Sequence, residues 1–234
     1  TDTLELSEQH SSATGVAFST LPIPVVSEFH AAEFSFASET FPLTVSYVGD
    51  ARREKGFCVL PQLVQSSIDL MISGKVRFSI QCNTPSPDPD CKKAIQVLRE
   101  LSLKYPVQLI TTPLSKPEYD RSVQCADVIL ALYDPPSYAR RSSHVVMEAL
   151  TLGKAVLVTK GTSPGALMPA DCPWLVPTAS EAAERLHWII SNYDQSRKLA
   201  KAFQDAFAHS QTGAGLFRHL LTTSSREFFS QCES

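Results

Sequence analysis

Short apolar runs recur along the chain from residue 43 onward and set its organisation. They are rich in β-branched residues and lie at residues 43–49, 75–82, 107–112, 126–133 and 154–160, with a shorter run at residues 172–178. Near-continuous apolar runs of this length are typical of strands that are buried on both faces of a sheet. Each run is therefore predicted to be a strand.

Segments with a helical pattern separate these runs. They lie at residues 57–72, 90–103, 117–124 and 143–152, and further helices are predicted at residues 178–193, 194–210 and 213–231. Strands that alternate with helices of this size indicate right-handed βαβ crossovers. We therefore predict an α/β fold, with a Rossmann-like doubly wound parallel sheet of about six strands and a helical C-terminal segment.

Residues 1–42 do not share this alternation of predicted strands and helices. A helix is predicted at residues 1–13 and a short strand at residues 15–26, which runs into a proline-containing linker. No apolar partner for the helix or the strand follows nearby in the sequence. Taken alone, the pattern therefore indicates a linker with some order of its own.

Charge and hydropathy exclude several classes of partner. The 234 residues carry 21 Lys and Arg against 24 Asp and Glu, for a formal net charge of -3. No block of like charge stands out, which argues against nucleic acid and anionic membranes as partners. The longest apolar run is far below a bilayer-spanning length, and no signal peptide is evident. We therefore predict a cytoplasmic protein without a transmembrane segment.

The potential metal ligands lack a metal-binding pattern. The six histidines have no ligand-like spacing, and the six cysteines are scattered without a CxxC pair, at Cys58, Cys82, Cys91, Cys125, Cys172 and Cys232. We expect reduced thiols, although an even number leaves one or two disulfides open. Asp88 and Asp90 lie in a proline-rich loop, where a helix cap at Asp90 is favoured over a cation site.

Two loops that follow predicted strands carry groups that bind anions, and ligands of doubly wound sheets bind outside the carboxyl ends of the strands. The first loop is residues 49–56, GDARREKG. Its terminal glycines permit a tight turn, and Arg52, Arg53 and Lys55 lie close to a helix start, where free N–H groups favour an anion. A solvated charged turn is the alternative reading, because the spacing fits neither a P-loop nor GxGxxG.

The second loop leads into the helix predicted at residues 143–152. Ser142 and Ser143 stand where a serine caps a helix and where exposed N–H groups bind phosphate, and His144 lies at the helix start. Glu148 falls inside the helix, where a buried carboxylate needs a hydrogen-bonding partner and a ribose diol is suited to that role. The alternative for Glu148 is a surface side chain.

Together the two loops resemble the C-terminal half of GT-B fold glycosyltransferases. The likeness is to the large retaining group that includes sucrose and mannosyl-type transferases, called family four. There the first strand of the C-terminal domain ends in glycine, and a lysine and a glycine follow six and seven positions later. Gly49, Lys55 and Gly56 match this spacing.

The chain departs from the family pattern at two positions. The family's arginine directly follows the glycine, where this chain has Asp50, so Arg52 or Arg53 is expected to take its role. The family's second motif has two glutamates separated by seven residues. Glu148 matches the second glutamate, which binds the nucleotide ribose, whereas Arg140 stands at the position of the first. That departure leaves the identity of the sugar open.

The resemblance implies the donor-binding half of a retaining, hexosyltransferase-type glycosyltransferase. Its ligand would be a nucleotide-diphosphate sugar, bound without a metal or other cofactor. Lys55 and Arg52 would be catalytic, because they would stabilise negative charge on the departing diphosphate. The resemblance further implies donor contacts from Gly49, Arg53, Ser142, Ser143, His144, Val145 and Glu148.

The resemblance also implies a domain layout. Residues 1–42 would be a remnant of the N-terminal acceptor domain and its linker, residues 43–212 the donor-binding domain, and residues 213–234 a helix that crosses back to the missing domain. That missing domain would be the chain's partner, and the chain alone would be inactive in transfer.

Three other functions compete with this interpretation. A GT-B epimerase would act on the nucleotide sugar itself and would need carboxylates that face the sugar. A non-catalytic glycosyltransferase-like interaction module is made credible by Arg140. A Rossmann oxidoreductase is the weakest candidate, because no dinucleotide fingerprint follows any predicted strand.

Overall fold

The computed structural model describes residues 4–18, 20–21, 41–83 and 88–210. Within them a sheet of six parallel strands has the order β3-β2-β1-β4-β5-β6. The strands are β1 (Leu43–Tyr47), β2 (Val76–Gln81), β3 (Val107–Ile110), β4 (Val128–Ala131), β5 (Ala155–Thr159) and β6 (Leu175–Val176). The chain starts in mid-sheet, winds out to one edge and then returns to wind out to the other. This is the predicted doubly wound, Rossmann-like fold, which is thereby confirmed.

Helices and shorter 3-10 turns connect the strands. The α-helices are α1 (Leu4–Thr14), α2 (Leu60–Gln65), α3 (Ile68–Ile72), α4 (Pro89–Ser102), α5 (Lys116–Gln124), α6 (Pro135–Tyr138), α7 (His144–Thr151), α8 (Ala182–Ser191) and α9 (Tyr193–Ser210). The 3-10 turns lie at Arg53–Lys55, Phe57–Val59, Gly165–Leu167 and Ala179–Glu181. Within the described ranges, no helix combines the length and the apolar character that crossing a membrane requires.

The helices form a layer on each face of the sheet. On one face α2 contacts α4 and α8, and on the other α7 contacts α5 and α9. Every residue of β1, β4 and β5 is buried between these layers, whereas β2 and β3 include exposed or half-buried positions. Burial on both faces explains why the central strands appear in the sequence as continuous apolar runs.

One predicted helix is divided in the structure. Residues 57–72 form a 3-10 turn at Phe57–Val59, then α2, and then α3, in place of a single helix. At the break, the hydroxyl of Ser67 donates to the carbonyl of Leu63 at 2.8 Å. A side chain that bonds the backbone locally competes with helix continuation, so the pattern of apolar residues alone overestimated the helix.

The segments near the termini and the cap of α4 differ from expectation in part. α1 confirms an N-terminal helix, but residues 15–18 and 20–21 form no strand, and the rest of the strand predicted at residues 15–26 lies outside the described residues. The helix predicted at residues 213–231 also lies outside them. Asp88, not Asp90, caps α4, since its carboxylate accepts from the N–H groups of Asp90 and Cys91.

Gly56 brings the loop after β1 against the end of β4. Its φ is +74°, and a Cβ atom placed on it would lie 1.9 Å from the carbonyl oxygen of Leu132. No side chain fits that space, because the neighbouring atom belongs to the backbone of a buried strand end. The close approach therefore requires glycine at this position.

Replacing Gly56 by alanine should destabilise the fold by about 3 kcal/mol, because it combines a left-handed backbone with a backbone clash. Gly74→Ala is the matched control, since Gly74 has a φ of +68° and nothing within 4 Å of its would-be Cβ. The control should lose only the cost of the left-handed conformation, about 1 kcal/mol. Urea unfolding measures both losses, and equal losses would show that the contact with Leu132 is not tight.

Candidate functional site

The two anion-binding loops predicted from the sequence both lie at the carboxyl ends of the strands, where the strand order reverses between β1 and β4. The loop after β1, residues 49–56, touches the end of β4 through Gly56. The N–H of Asp134 also donates to the carbonyl of Glu54 at 3.0 Å. In doubly wound sheets this switch point is where ligands bind.

Lys55 lies directly over Gly49. Its Nζ atom is 3.2 Å from the position that a Cβ on Gly49 would occupy, and the φ of Gly49 is +149°. The N–H of Gly49 is held by the side-chain oxygen of Gln81 at 2.9 Å, so the turn is fixed to β2. The glycine thus leaves room for the lysine to fold back over the end of β1.

Lys55 is a half-buried cation at the carboxyl end of β1. Burial lowers its pKa, the guanidinium of Arg52 lowers it further, and Asp50 and Glu54 act in the opposite direction. Within the described part of the chain, no carboxylate oxygen lies at ion-pair distance from Lys55 Nζ. A desolvated cation of this kind favours the arrival of an anion.

The two arginines of this loop are placed differently. Arg52 pairs with Asp50 at 2.9 Å and lies 3.6 Å from Glu54, with 45% of its side chain exposed. Exposed ion pairs are weak, so Arg52 can exchange these partners for a phosphate. Arg53 instead binds Asp88 at 2.8 Å and also Asp90, at the first turn of α4. The structure thus groups Gly49, Arg52 and Lys55, and ties Arg53 to another element.

The N-terminus of α7 has no side-chain cap. Ser143 occupies the cap position, but its hydroxyl shares a 2.8 Å hydrogen bond with the hydroxyl of Tyr133. By contrast, Asp88 caps α4 and Asp134 caps α6 through their carboxylates. No hydrogen bond from the first-turn N–H groups of α7 is found within the described ranges, and the helix dipole favours an anion there.

A pair of stacked tyrosines lies in the segment that joins β4 to α7. The rings of Tyr133 and Tyr138 stack with centroids 4.1 Å apart, and the guanidinium of Arg141 lies 5.9 Å from the centroid of Tyr138. Burial raises the pKa of Tyr138, and the positive charge of Arg52 lowers it. Arg52 of the first loop is therefore close enough to interact electrostatically with Tyr138. Ser142, directly before the start of α7, is exposed.

Glu148 is a buried carboxylate with two donors from its own chain. It is 7% exposed, so the alternative of a surface side chain is wrong. Its Oε2 accepts from the hydroxyl of Tyr119 on α5, and His144 Nε2 lies 3.1 Å from its Oε1. Burial and this hydrogen bond raise the pKa of Tyr119. His144 itself is exposed, whereas Val145 is buried.

The sequence interpretation missed the tyrosines. Tyr119 is the lone aromatic residue in KPEYDRSVQ, an otherwise polar helix, and that contrast is the signal that points to a role. Tyr133 and Tyr138 were hidden because they end and follow an apolar strand, where aromatic residues are common. Arg140, at the position where the resemblance expects a glutamate, is exposed after α6. Among the described residues, no group of three or more His, Cys, Asp and Glu could hold a metal ion.

Tyr119→Phe should lower the free energy of unfolding by about 2 kcal/mol, because it removes a donor from a buried carboxylate. Tyr105→Phe is the control, since no hydrogen bond of the half-buried Tyr105 hydroxyl is found in the described ranges. That variant should stay within about 0.5 kcal/mol of the parent chain. Denaturant unfolding of both variants tests this, and equal losses would refute the structural role of Tyr119.

Comparison with known proteins relates this architecture to solved structures. No protein-family model and no curated protein sequence matches the chain. The C-terminal domain of a group 1 glycosyltransferase family protein, LpcC from Francisella tularensis, is 17% identical with a TM-score of 0.60, and the match covers 82% of this chain and 97% of that one.

Two longer proteins share the fold. Sucrose-phosphate synthase from Thermosynechococcus elongatus is 14% identical with a TM-score of 0.64, and the match covers 96% of this chain and 57% of that one. HepE from Anabaena, solved in complex with UDP-glucose, is 15% identical with a TM-score of 0.60, and the match covers 97% and 54%. The chain thus spans slightly more than half the length of each. It has the fold of the C-terminal domain of a group 1 glycosyltransferase, which is one half of the GT-B architecture, as the sequence predicted.

Proposed function

We propose that the carboxyl ends of β1 and β4 form a binding site for a nucleotide-diphosphate sugar. We also propose that the chain is the donor-binding half of a retaining glycosyltransferase. The observation that carries the proposal is Lys55, a half-buried cation that lies over Gly49 and has no ion pair among the described residues. The names of structural neighbours agree with it, since HepE was solved with UDP-glucose and another neighbour is a UDP-forming trehalose-phosphate synthase from Burkholderia xenovorans.

The diphosphate would occupy the space between Lys55 and the start of α7. Lys55 and Arg52 supply positive charge from one side, and the uncapped N–H groups of His144 and Val145 supply donors from the other. Ser142, exposed beside them, adds a hydroxyl. Because these groups neutralise the diphosphate between them, the proposal requires no metal. For Arg53 to join them, it would have to release Asp88 and Asp90, so we assign it a minor role.

The ribose would bind at Glu148. A carboxylate offers about four acceptor sites, and Tyr119 and His144 use two of them. The remaining lone pairs can accept from the two hydroxyls of a ribose. In this arrangement Tyr119 holds the carboxylate in place while the ribose is absent, so the buried charge is never without a donor.

The chemistry of the proposal is electrostatic. The bond between the anomeric carbon and the diphosphate oxygen breaks, and both electrons leave with the oxygen. Lys55, Arg52 and the dipole of α7 stabilise the charge that develops on the leaving group. The acceptor would bind a second domain, so we expect this chain alone to bind donor without transferring the sugar.

A non-catalytic interaction module is the second candidate. Arg140 favours it, because the family resemblance expects a carboxylate at that position, close to the transferred sugar. Such a module would have kept the fold and lost the ligand. It predicts that none of the common nucleoside diphosphates binds, whereas the donor-site proposal predicts that one of them does.

Calorimetric titration with UDP, GDP, ADP and TDP separates the two candidates. One nucleotide should bind saturably, and Lys55→Ala and Glu148→Gln should each weaken it about 10- to 100-fold, as expected for the loss of a charge-assisted hydrogen bond. Lys75→Ala is the matched control and should leave the affinity unchanged. Lys75 is an exposed lysine directly before β2, at the amino ends of the strands and away from the proposed site. No binding at millimolar nucleotide, or equal affinity in the Lys55 and Lys75 variants, would contradict the donor site.

The affinity should also depend on pH through Lys55. Only the protonated amine attracts the diphosphate, and its pKa in the free chain is lowered from 10.5. Affinity should therefore be highest below that lowered pKa and should fall as the pH rises through it. In Lys55→Met this loss should be absent, so the affinities of the parent chain and the variant should converge in alkaline solution. Curves that stay parallel would show that Lys55 does not contact the nucleotide.

A further inference from the structure

Two thiols from different elements touch each other beside the loop of residues 49–56. Cys58 lies in the 3-10 turn that follows this loop, and Cys91 lies in the first turn of α4. Their sulfur atoms are 3.3 Å apart, although the residues are 33 positions apart in sequence. In the described part of the chain, the other cysteines, Cys82, Cys125 and Cys172, make no such contact with a second cysteine.

The surrounding contacts already hold the two segments together. The turn that contains Cys58 packs against α4. Next to it, Arg53 binds Asp88 at 2.8 Å and also binds Asp90, so the loop is tied to the same helix terminus. A disulfide joins its sulfur atoms at about 2.05 Å, so closure from 3.3 Å needs an approach of about 1.2 Å. Small side-chain rotations on a fixed backbone are expected to supply that distance.

The two thiols differ in access to solvent. Cys91 is fully buried, whereas Cys58 is half-buried and lines a groove of about 410 Å³ together with Pro61, Asp90 and Lys93. An oxidant therefore meets Cys58 first. The sulfur of Cys91, 3.3 Å away, is then placed to attack the oxidised sulfur, as a resolving thiol does.

We propose that Cys58 and Cys91 form a redox-sensitive dithiol, an oxidative modification site that closes to a disulfide and fastens the loop of residues 49–56 to α4. With a peroxide, the sulfur of Cys58 displaces one oxygen as water and becomes a sulfenic acid. The sulfur of Cys91 then attacks it and releases the second oxygen as water. Two thiols and one peroxide thus give one disulfide and two waters, and the thiols lose two electrons to the oxidant.

The local chemistry sets the conditions for this step. Burial, followed by the hydrogen bond with Cys91, raises the pKa of Cys58 to about 12. Cys58 is therefore protonated at neutral pH and reacts slowly with weak oxidants, because the thiolate is the nucleophile. Closure should be faster in mildly alkaline solution. The resulting link would restrain the segment that immediately follows Lys55, whether or not the loop binds a nucleotide.

The test is oxidation of the whole reduced chain with hydrogen peroxide, followed by non-reducing peptide mass mapping and thermal unfolding. We expect a peptide that links Cys58 to Cys91, with a mass lower by two hydrogen atoms. Because the link closes a long loop, Tm should rise by about 10 °C, and a reductant should reverse the rise.

Serine variants identify the pair. Cys58→Ser should abolish both the link and the rise in Tm, whereas Cys125→Ser, at an exposed cysteine outside the pair, should retain both. Because Cys58 is half-buried, its replacement by serine leaves the core intact, and Cys91→Ser provides an independent second variant. Oxidation of Cys58 to a sulfinic acid without a link, or a rise in Tm that persists in Cys58→Ser, would overturn the proposal.

Discussion

The contact between the backbone of Gly56 and the carbonyl of Leu132 is the constraint on which the site depends. It brings the loop after β1 against the end of β4, across the point where the strand order reverses. With that loop in place, Lys55 lies over Gly49, and the charge of Arg52 interacts with the hydroxyl group of Tyr138. A larger residue at position 56 would push the cations away from α7. The electrostatic arrangement of the site therefore depends on this backbone contact.

Hydrogen bonds and ion pairs satisfy some polar groups of the candidate site and leave others able to bind a ligand. The hydroxyl of Ser143 is held by Tyr133, and the N–H groups at the start of α7 therefore have no side-chain cap. Glu148 is buried but has Tyr119 and His144 as donors, so its carboxyl oxygens have partners without a ligand. Lys55 has no ion pair among the described residues, and this imbalance is the best support for an anionic ligand.

Local patterns predicted the fold well, but they did not show which side chains contact one another around the candidate site. The central strands were readable because burial on both faces gives continuous apolar runs. The break at Ser67 between α2 and α3 could not be predicted from the sequence pattern, since it depends on one side-chain hydrogen bond. Within the site, the choice between Arg52 and Arg53 was undecidable from spacing, because Arg53 is held by Asp88, 35 positions away. Tyr119 was missed for the same reason, as it reaches Glu148 across 29 positions.

The most direct measurement is amide chemical-shift mapping of the ¹⁵N-labelled chain during addition of the nucleoside diphosphate that binds. We expect the largest shifts on Gly49, Lys55, His144 and Val145, because the proposed diphosphate site lies between the first loop and the start of α7. Lys75 and its neighbours at the opposite edge should not move. Shifts confined to other surfaces, or none at saturating nucleotide, would contradict the claim that this edge of the sheet is a nucleotide-diphosphate site.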